Sequence, residues 1–519
     1  MASGSITIVG LGPGAGNQVT VEARDVLAAA REIWLRTTHH PVVPSLPAGP
    51  AVRSFDYLYD EKETFTEVYA AIVQHLLGLA KQGEDVVYAV PGHPLVGERS
   101  VQMLLGEARA AGIATAVVAG LSFLEPTFSA LQLDPLAKGL QVLDAMGLAS
   151  LTDLNRGEPA VRPGFLPTAP LLLAQIYNRR VASGVKIHLL EYYSPRHEVT
   201  LLRWAGVPGQ EEVRTLPLYT LDRIPEVDHL CCLYVPALDP VDDLAGFEGL
   251  RYVIARLRAP GGCPWDREQT HDSLKPYLIE EAYEALDALD LADVAKISEE
   301  LGDLLLQVVL HAQLGEEAGE FSMEDVLRGI NAKLIRRHPH VFGDISVRDS
   351  AEVLRNWAQI KRSEHTDEEK AASLLGEIPR QLPALAYALS VQKRAARTGF
   401  DWTEIGGVEG KVAEELKELK AAEGPDEKMQ EMGDVLFAIV NLARWMKVDP
   451  EEALRLTNQR FRSRFRRMEE LCAERGLDLT SLSLAEQDEL WEEAKREERG
   501  SPPSDSRPER GTEDAGPSS

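Results

Sequence analysis

Short β-branched runs alternate with amphipathic stretches through about the first 235 residues, whereas the chain beyond Asp239 is rich in Glu, Leu, Ala, Lys and Arg at helical spacing. The runs at 5–9, 85–90, 114–118 and 186–190 predict buried strands, and the stretches 19–30 and 98–111 predict helices between them. Strands alternating with helices predict an α/β sheet domain over 1–238. A linker at 239–246 then leads into two all-α units, expected at 247–370 and 371–498. The span 499–519 holds Pro, Ser, Gly and charge with almost no large apolar residue, and predicts a disordered tail.

An internal repeat organises the helical half. A Glu-Glu-x-x-Glu stretch at 280–284 and a Glu-x-x-Asp stretch at 300–303 recur at 414–418 and 431–434. The surroundings recur too: Trp265 and Asp266 upstream of the first copy, Asp401 and Trp402 upstream of the second. Downstream, Asn331, Lys333 and Arg337 are matched by Asn458, Arg460 and Arg464, and Trp357 with Lys361 by Trp491 with Lys495.

Helical residues three apart project about 60° from one another, so Glu281 and Glu284 share a face, as do Glu300 and Asp303. The intervening residues have room for a turn, which lets antiparallel helices bring the two pairs together. Glu415, Glu418, Glu431 and Asp434 repeat the arrangement, with Gly424 and Pro425 for the turn. A single acidic pair reads most simply as a solvated helix face. A double pair occurring twice, each followed by similarly placed cations, reads as a metal site. All eight ligands are hard oxygens, which suits Mg²⁺ or Mn²⁺. The oxygens of a di- or triphosphate are the natural partner of such an ion. Lys333, Arg337 and Lys361 in the first unit, and Arg460, Arg464 and Lys495 in the second, are then candidate phosphate contacts, and Lys393 and Trp491 complete the candidate substrate contacts.

Charge narrows the partners. Asp plus Glu number 82 against 55 Lys plus Arg, a formal charge of −27, which disfavours DNA, RNA and anionic membranes. At 519 residues there is room for about three or four domains. Four scattered cysteines make neither a disulfide framework nor a zinc pattern. Gly10, Gly12, Gly14 and Gly16 break the first apolar stretch, and no run approaches the ~20 apolar residues of a membrane span, so a cytoplasmic protein without leader or anchor is expected.

Residues 262–266, both acidic pairs of each repeat, 337–342, 399–402 and 458–461 resemble the tandem MazG nucleoside triphosphate pyrophosphohydrolases over about 247–498. The resemblance implies all-α units that assemble as a homodimer of four-helix-bundle character. It also implies Mg²⁺-dependent hydrolysis of nucleoside triphosphates to monophosphate and pyrophosphate, with Glu281, Glu284, Glu300, Asp303, Glu415, Glu418, Glu431 and Asp434 as metal ligands. The second quartet is the expected catalytic one. Arg460 stands where family members often carry Lys.

In the first half, three Gly-containing loops at 10–16, 90–94 and 119–123 follow strands, and ligands of open α/β sheets gather at such ends. Together with 170–183 they resemble the tetrapyrrole methylases over about 4–237, a family that binds S-adenosylmethionine between two α/β subdomains. Gly12, Gly14, Pro91, Gly92, His93 and Ser122 are the candidate cofactor contacts; Ala15 and His93 stand where the family commonly has acidic residues. Two other readings remain at this point: a methyltransferase whose helical half regulates or dimerises it, and a metal- and nucleotide-sensing scaffold without turnover.

Overall fold

The structure, a computed structural model, describes residues 4–150, 164–350, 352–353, 356–357, 360, 375 and 378–500. Two compact units, Met1–Met323 and Glu324–Ser519, divide the chain. In the first unit, β1 (Ile6–Gly10), β2 (Glu32–Leu35), β3 (Ala51–Ser54), β4 (Val86–Val90) and β5 (Thr115–Val118) form a parallel sheet in the order β3-β2-β4-β1-β5. Period-two alternation sends Ile6, Ile8, Val86 and Tyr88 into one core with Leu76 and Leu104. Val9 and Ala89 enter a second core with Leu27 and Ile33 on the opposite face. A sheet covered on both faces has no use for a polar side, which explains why these runs are almost continuously apolar.

A second sheet in the same unit runs β6-β7-β10-β8-β9, from β6 (Gln141–Asp144), β7 (Leu171–Ala174), β8 (Glu198–Arg203), β9 (Glu212–Pro217) and β10 (Cys231–Val235). Its pairings are antiparallel except β6 with β7. Leu171, Leu173, Val199, Leu201 and Leu233 make its larger core. The expected strands at 5–9, 85–90 and 114–118 are found, and the helices Val21–Ala29 and Arg99–Ala110 fall within the expected spans.

Residues 186–190 are a correction, because they end the helix Arg179–Leu189 and its cap instead of forming a strand. Asn178 starts that helix by accepting from the Val181 amide at 2.9 Å. Val181, Ala182, Val185 and Leu189 then bury at helical spacing against the second sheet. Ile187, Leu189 and Leu190, interrupted by Lys186 and His188, fit either period over so few positions; the cap upstream decides it.

Residues 239–246 hold a 3-10 turn, Pro240–Asp242, capped by Asp239, and lead into the helix Phe247–Arg258. That helix packs on the Val294–Ala318 helix, where Ile254 joins Leu274, Val309, Leu310 and Met323 in a small core. Arg258 fastens the contact through an ion pair to Glu317 at 2.8 Å. In the second unit, Pro450–Arg475 pairs with Leu484–Gly500 over Met468, Leu471, Leu490 and Ala494. The last helix runs two residues into the span expected as tail, and residues 501–519 lie outside the described residues. Among the described residues no helix is long and apolar enough to cross a membrane.

Gly10 tests the tight meeting of strand ends. A Cβ there would lie 2.6 Å from the Gly120 nitrogen and 2.7 Å from the Gly92 oxygen, both backbone atoms with little freedom to retreat. Gly10→Ala is expected to destabilise the sheet domain by about 1–3 kcal/mol, read as a lowered first transition in calorimetry; an unchanged transition would show that the loops yield freely.

Candidate metal centre and ligand cleft

Each acidic quartet hangs on a two-helix hairpin. Thr270 caps the helix His271–Leu291 by accepting from the Ser273 amide at 3.2 Å. Ala292, left-handed at φ 52°, ends it. Asp293 then starts the helix Val294–Ala318 by accepting from the Ala295 and Lys296 amides. In the second hairpin, Gly424 and Pro425 turn the helix Ile405–Ala421 into Pro425–Trp445. Connections this short leave the arms antiparallel.

The arms bring the acids together as the spacing requires. One carboxylate oxygen from each of Glu281, Glu284 and Glu300 lies within 4.8 Å of the other two, and Glu415, Glu418 and Glu431 repeat the arrangement. An octahedral Mg²⁺ with oxygens at roughly 2.1 Å spaces neighbouring and opposite ligands roughly 2.9–4.2 Å apart, so small rotamer shifts close either triplet around an ion. Asp303 and Asp434 stand beside the triplets and act on Glu281 and Glu431 by charge. Burial, followed by Asp303 and Glu284, holds Glu281 above the ordinary carboxylate range. Burial and Glu284 raise Glu300, and burial, Glu418 and Asp434 raise Glu431. Oε2 of Glu431 is buried without a hydrogen-bond partner. An all-oxygen donor set, mutual repulsion and an orphaned carboxylate oxygen together fit a hard divalent ion.

Sequence reasoning passed over Lys411, whose Nζ lies 2.7 Å from Glu415 and 2.9 Å from Glu414. The two carboxylates raise its ammonium above the ordinary lysine range. The available signal was a lysine four residues before a glutamate, a spacing that meets on a helix.

The expected substrate cations are distributed differently. Arg464 pairs with Glu498 at 2.6 Å and lies over Trp491 at 5.6 Å, and Trp491 in turn packs on Phe461. Lys495 pairs with Glu492 at 2.8 Å, and Arg460 donates to Thr457 at 2.9 Å. Lys393 and Lys333 are exposed, and Arg337 lies over Trp357 at 5.1 Å. Lys361 lies outside the described residues. Among the described residues no hydrogen bond or ion pair joins Arg460, Arg464, Lys495 or Lys393 to the second quartet. Asp401, repeated upstream, locks onto Arg444 at 2.5 Å and Trp445 at 3.1 Å.

In the α/β region the three loops leave the carboxyl ends of the adjacent strands β4, β1 and β5. Pro91, Gly92 and His93 line a cleft of about 860 Å³, whereas Gly12, Gly14 and Ser122 do not. Gly12 and Gly92 spend their amides on each other's carbonyls, at 3.2 and 2.8 Å. Gly14 packs where a Cβ would meet Val207 at 2.6 Å. Ser122 gives its amide and hydroxyl to Glu125, both at 2.7 Å. The deeper wall carries groups that no motif marked. Arg36 pairs with buried Glu98 at 3.2 Å, burial with nearby Arg36 pushes His40 down to about 4, and hydrogen bonds from Thr37 and Thr38 overcome the effect of burial to hold Asp56 well below the carboxylate range.

The geometry has counterparts in known proteins. The model of the MazG nucleotide pyrophosphohydrolase domain matches residues 269–342, and that of the tetrapyrrole (corrin/porphyrin) methylases matches 5–222. The Bacillus subtilis protein YabN is 43% identical over 505 residues, 96% of this chain and 100% of that one. This chain belongs to the family of tetrapyrrole methylase and MazG fusion proteins. Its MazG match spans the whole first quartet, and its methylase match runs from β1 through β9. Similar to the fusion over 249 residues, at 51% identity, is the nucleoside triphosphate pyrophosphohydrolase/pyrophosphatase MazG of Thermotoga maritima, covering 48% of this chain and 95% of that one. A crystal structure of uroporphyrin-III-C-methyltransferase from Thermus thermophilus covers 47% of this chain and 95% of that one, at 26% identity and a TM-score of 0.34. The family matches and the relation to YabN bear out a methylase-like domain followed by a MazG region.

The raised carboxyls of the MazG region make a stability test. A carboxyl whose folded pKa exceeds its unfolded value contributes stability when protonated, and that contribution is lost as pH rises from the ordinary carboxylate range through the folded value. Metal-free Glu281→Gln and Glu431→Gln are therefore expected to unfold at higher temperature than the unaltered chain at neutral pH, with the difference shrinking on acidification. Mg²⁺ should raise the midpoint of the unaltered chain more than theirs. Equal Mg²⁺ responses in all three would remove these acids from the metal centre.

Proposed function

We propose that the chain is a Mg²⁺-dependent nucleoside triphosphate pyrophosphohydrolase, converting a nucleoside triphosphate and water to a monophosphate and pyrophosphate. The observation that carries the reading is the twofold convergence of carboxylate oxygens within 4.8 Å across a helical hairpin. The 51% identity to the Thermotoga pyrophosphohydrolase supports the same chemistry. A divalent ion held by the acids supplies neutralisation of phosphate oxygens and a more acidic bound water. Glu415, Glu418, Glu431 and Asp434 hold that charge in the working site, and Glu281, Glu284, Glu300 and Asp303 form a second metal site. Lys333, Arg337, Lys361, Lys393, Arg460, Arg464, Trp491 and Lys495 belong to the reading as substrate contacts; for Arg464 and Lys495 this requires exchange of a surface carboxylate for phosphate.

A homodimer belongs to the same reading. Leu301, Leu305 and Val308 leave an exposed stripe on the first hairpin, and Met432, Leu436 and Ile439 leave it again on the second. Apolar residues at i, i+4 and i+7 are the seam of a helix bundle, and a second copy is its proposed cover. The formal charge of −27 and four free cysteines support a cytoplasmic enzyme that does not act on nucleic acid polymers.

Product analysis with Mg²⁺ tests the reaction: pyrophosphate and monophosphate in equal amounts are expected, and orthophosphate with diphosphate as main products would sink the reading. In the same assay Glu415→Gln or Asp434→Asn is expected to lower kcat by about 100-fold or more, on the scale of losing a charge-stabilising group. Glu281→Gln or Asp303→Asn should cost less; the reverse order would move the working site to the first hairpin.

The 860 Å³ cleft, lined by Pro91, Gly92 and His93 within the methylase match, favours a second activity beside the first: binding of S-adenosylmethionine. Trp204 lines the cleft, so titration with S-adenosylmethionine is expected to change tryptophan fluorescence saturably. A flat titration, checked by calorimetry, would leave the domain without this cofactor.

A further inference from the structure

We propose that Lys411 is a resident counter-cation that competes with the divalent metal for Glu415, an exchange the first hairpin lacks. The inference rests on the metal-site reading given above. Glu415 is 6% exposed, the most buried acid of its quartet, and its charge is met by the Lys411 ammonium at 2.7 Å. The same ammonium reaches Glu414 at 2.9 Å, so the lysine has a second carboxylate to fall back on when Glu415 turns to a metal. Metal binding then breaks one contact and keeps the other.

The first hairpin supplies the internal control. Tyr277 occupies the register of Lys411, four residues before Glu281. Among the described residues no Lys or Arg ion-pairs with Glu281, Glu284, Glu300 or Asp303. Other charges face both sites from the second arm: Lys296 acts on Glu300 without an ion pair, and Glu427, in the matching register, adds negative charge near Glu431. These act through solvent and are screened by salt, whereas a contact pair must be broken outright.

Mn²⁺ stands in as the probe, with free ion counted by electron paramagnetic resonance on the full chain. Glu281→Gln combined with Glu300→Gln leaves the second quartet as the measured site, and in that background Lys411→Met is expected to tighten Mn²⁺ about two- to fivefold, the scale of one partly exposed ion pair. Lys411→Arg, which restores the charge, should keep the original affinity, and high salt should shrink the Met effect. With the second quartet removed by Glu415→Gln and Glu431→Gln, Tyr277→Lys should weaken the first site by a similar factor. Unchanged or weaker binding in Lys411→Met, with circular dichroism showing an intact fold, overturns the competition while leaving the metal sites standing. Absence of Mn²⁺ binding to the second quartet in every background overturns the metal reading and this inference together.

Discussion

Repulsion among carboxylates that the backbone forces together governs the helical half. Two acids three residues apart on each arm of an antiparallel hairpin have nowhere to diverge, and Glu300 and Glu415 are held nearly out of water as well. The hairpins must be clamped elsewhere. In the first, Leu274, Val309, Leu310 and Ala312 pack near the end opposite the turn, where His271 and His311 also hydrogen-bond at 2.7 Å. The apolar clamp and the charged end are thus separated along the arms. A cation can then relieve the charged end without rebuilding the core, a design suited to a ligand that comes and goes.

The sequence made this part legible because period and repetition carry it. Spacing three on a helix fixes a shared face, Gly424–Pro425 fixes a turn, and a second copy separates design from coincidence. Lys411 escaped because a lysine one turn before a glutamate is ordinary surface chemistry; only the depth of Glu415 makes it notable. Residues 186–190 were misread for a related reason. Their five positions are too few to show a period, and the information lay in Asn178, a cap eight residues upstream.

In the α/β region, what could be read was the backbone and what could not was the side-chain chemistry. Glycines announced that the loops after β1, β4 and β5 approach closely, and they do so against one another: a Cβ on Gly10 or Gly120 would collide with the Gly92 carbonyl. That close packing explains why Gly12, Gly14 and Ser122 serve the loops while Pro91, Gly92 and His93 reach the cleft. Arg36 and His40 come from the loop after β2, and Asp56 and Glu98 from two other segments; they share no motif, so folding brings them to one wall. Arg36 and Glu98 offset each other on that wall while Asp56 keeps its negative charge, so selection there combines shape and hydrogen bonding with one localised charge.

The two hairpins show what duplication preserves and what it releases. On each arm the paired acids keep their spacing of three, and Met432, Leu436 and Ile439 stand at the same offsets from Glu431 as Leu301, Leu305 and Val308 do from Glu300, while the second hairpin has the shorter connection. The surrounding charges do not keep their places. Beside the first quartet the nearby cation, Lys296, stands on the second arm; beside the second it is Lys411 on the first arm, and Glu427 replaces the lysine. A cation that changes arms changes which carboxylate is neutralised while the site is empty, Glu300 weakly at a distance in one case and Glu415 by contact in the other. On the metal-site reading proposed above, the same acids would thus present different carboxylates to an arriving ion, and the two sites could diverge in metal handling without altering a single ligand.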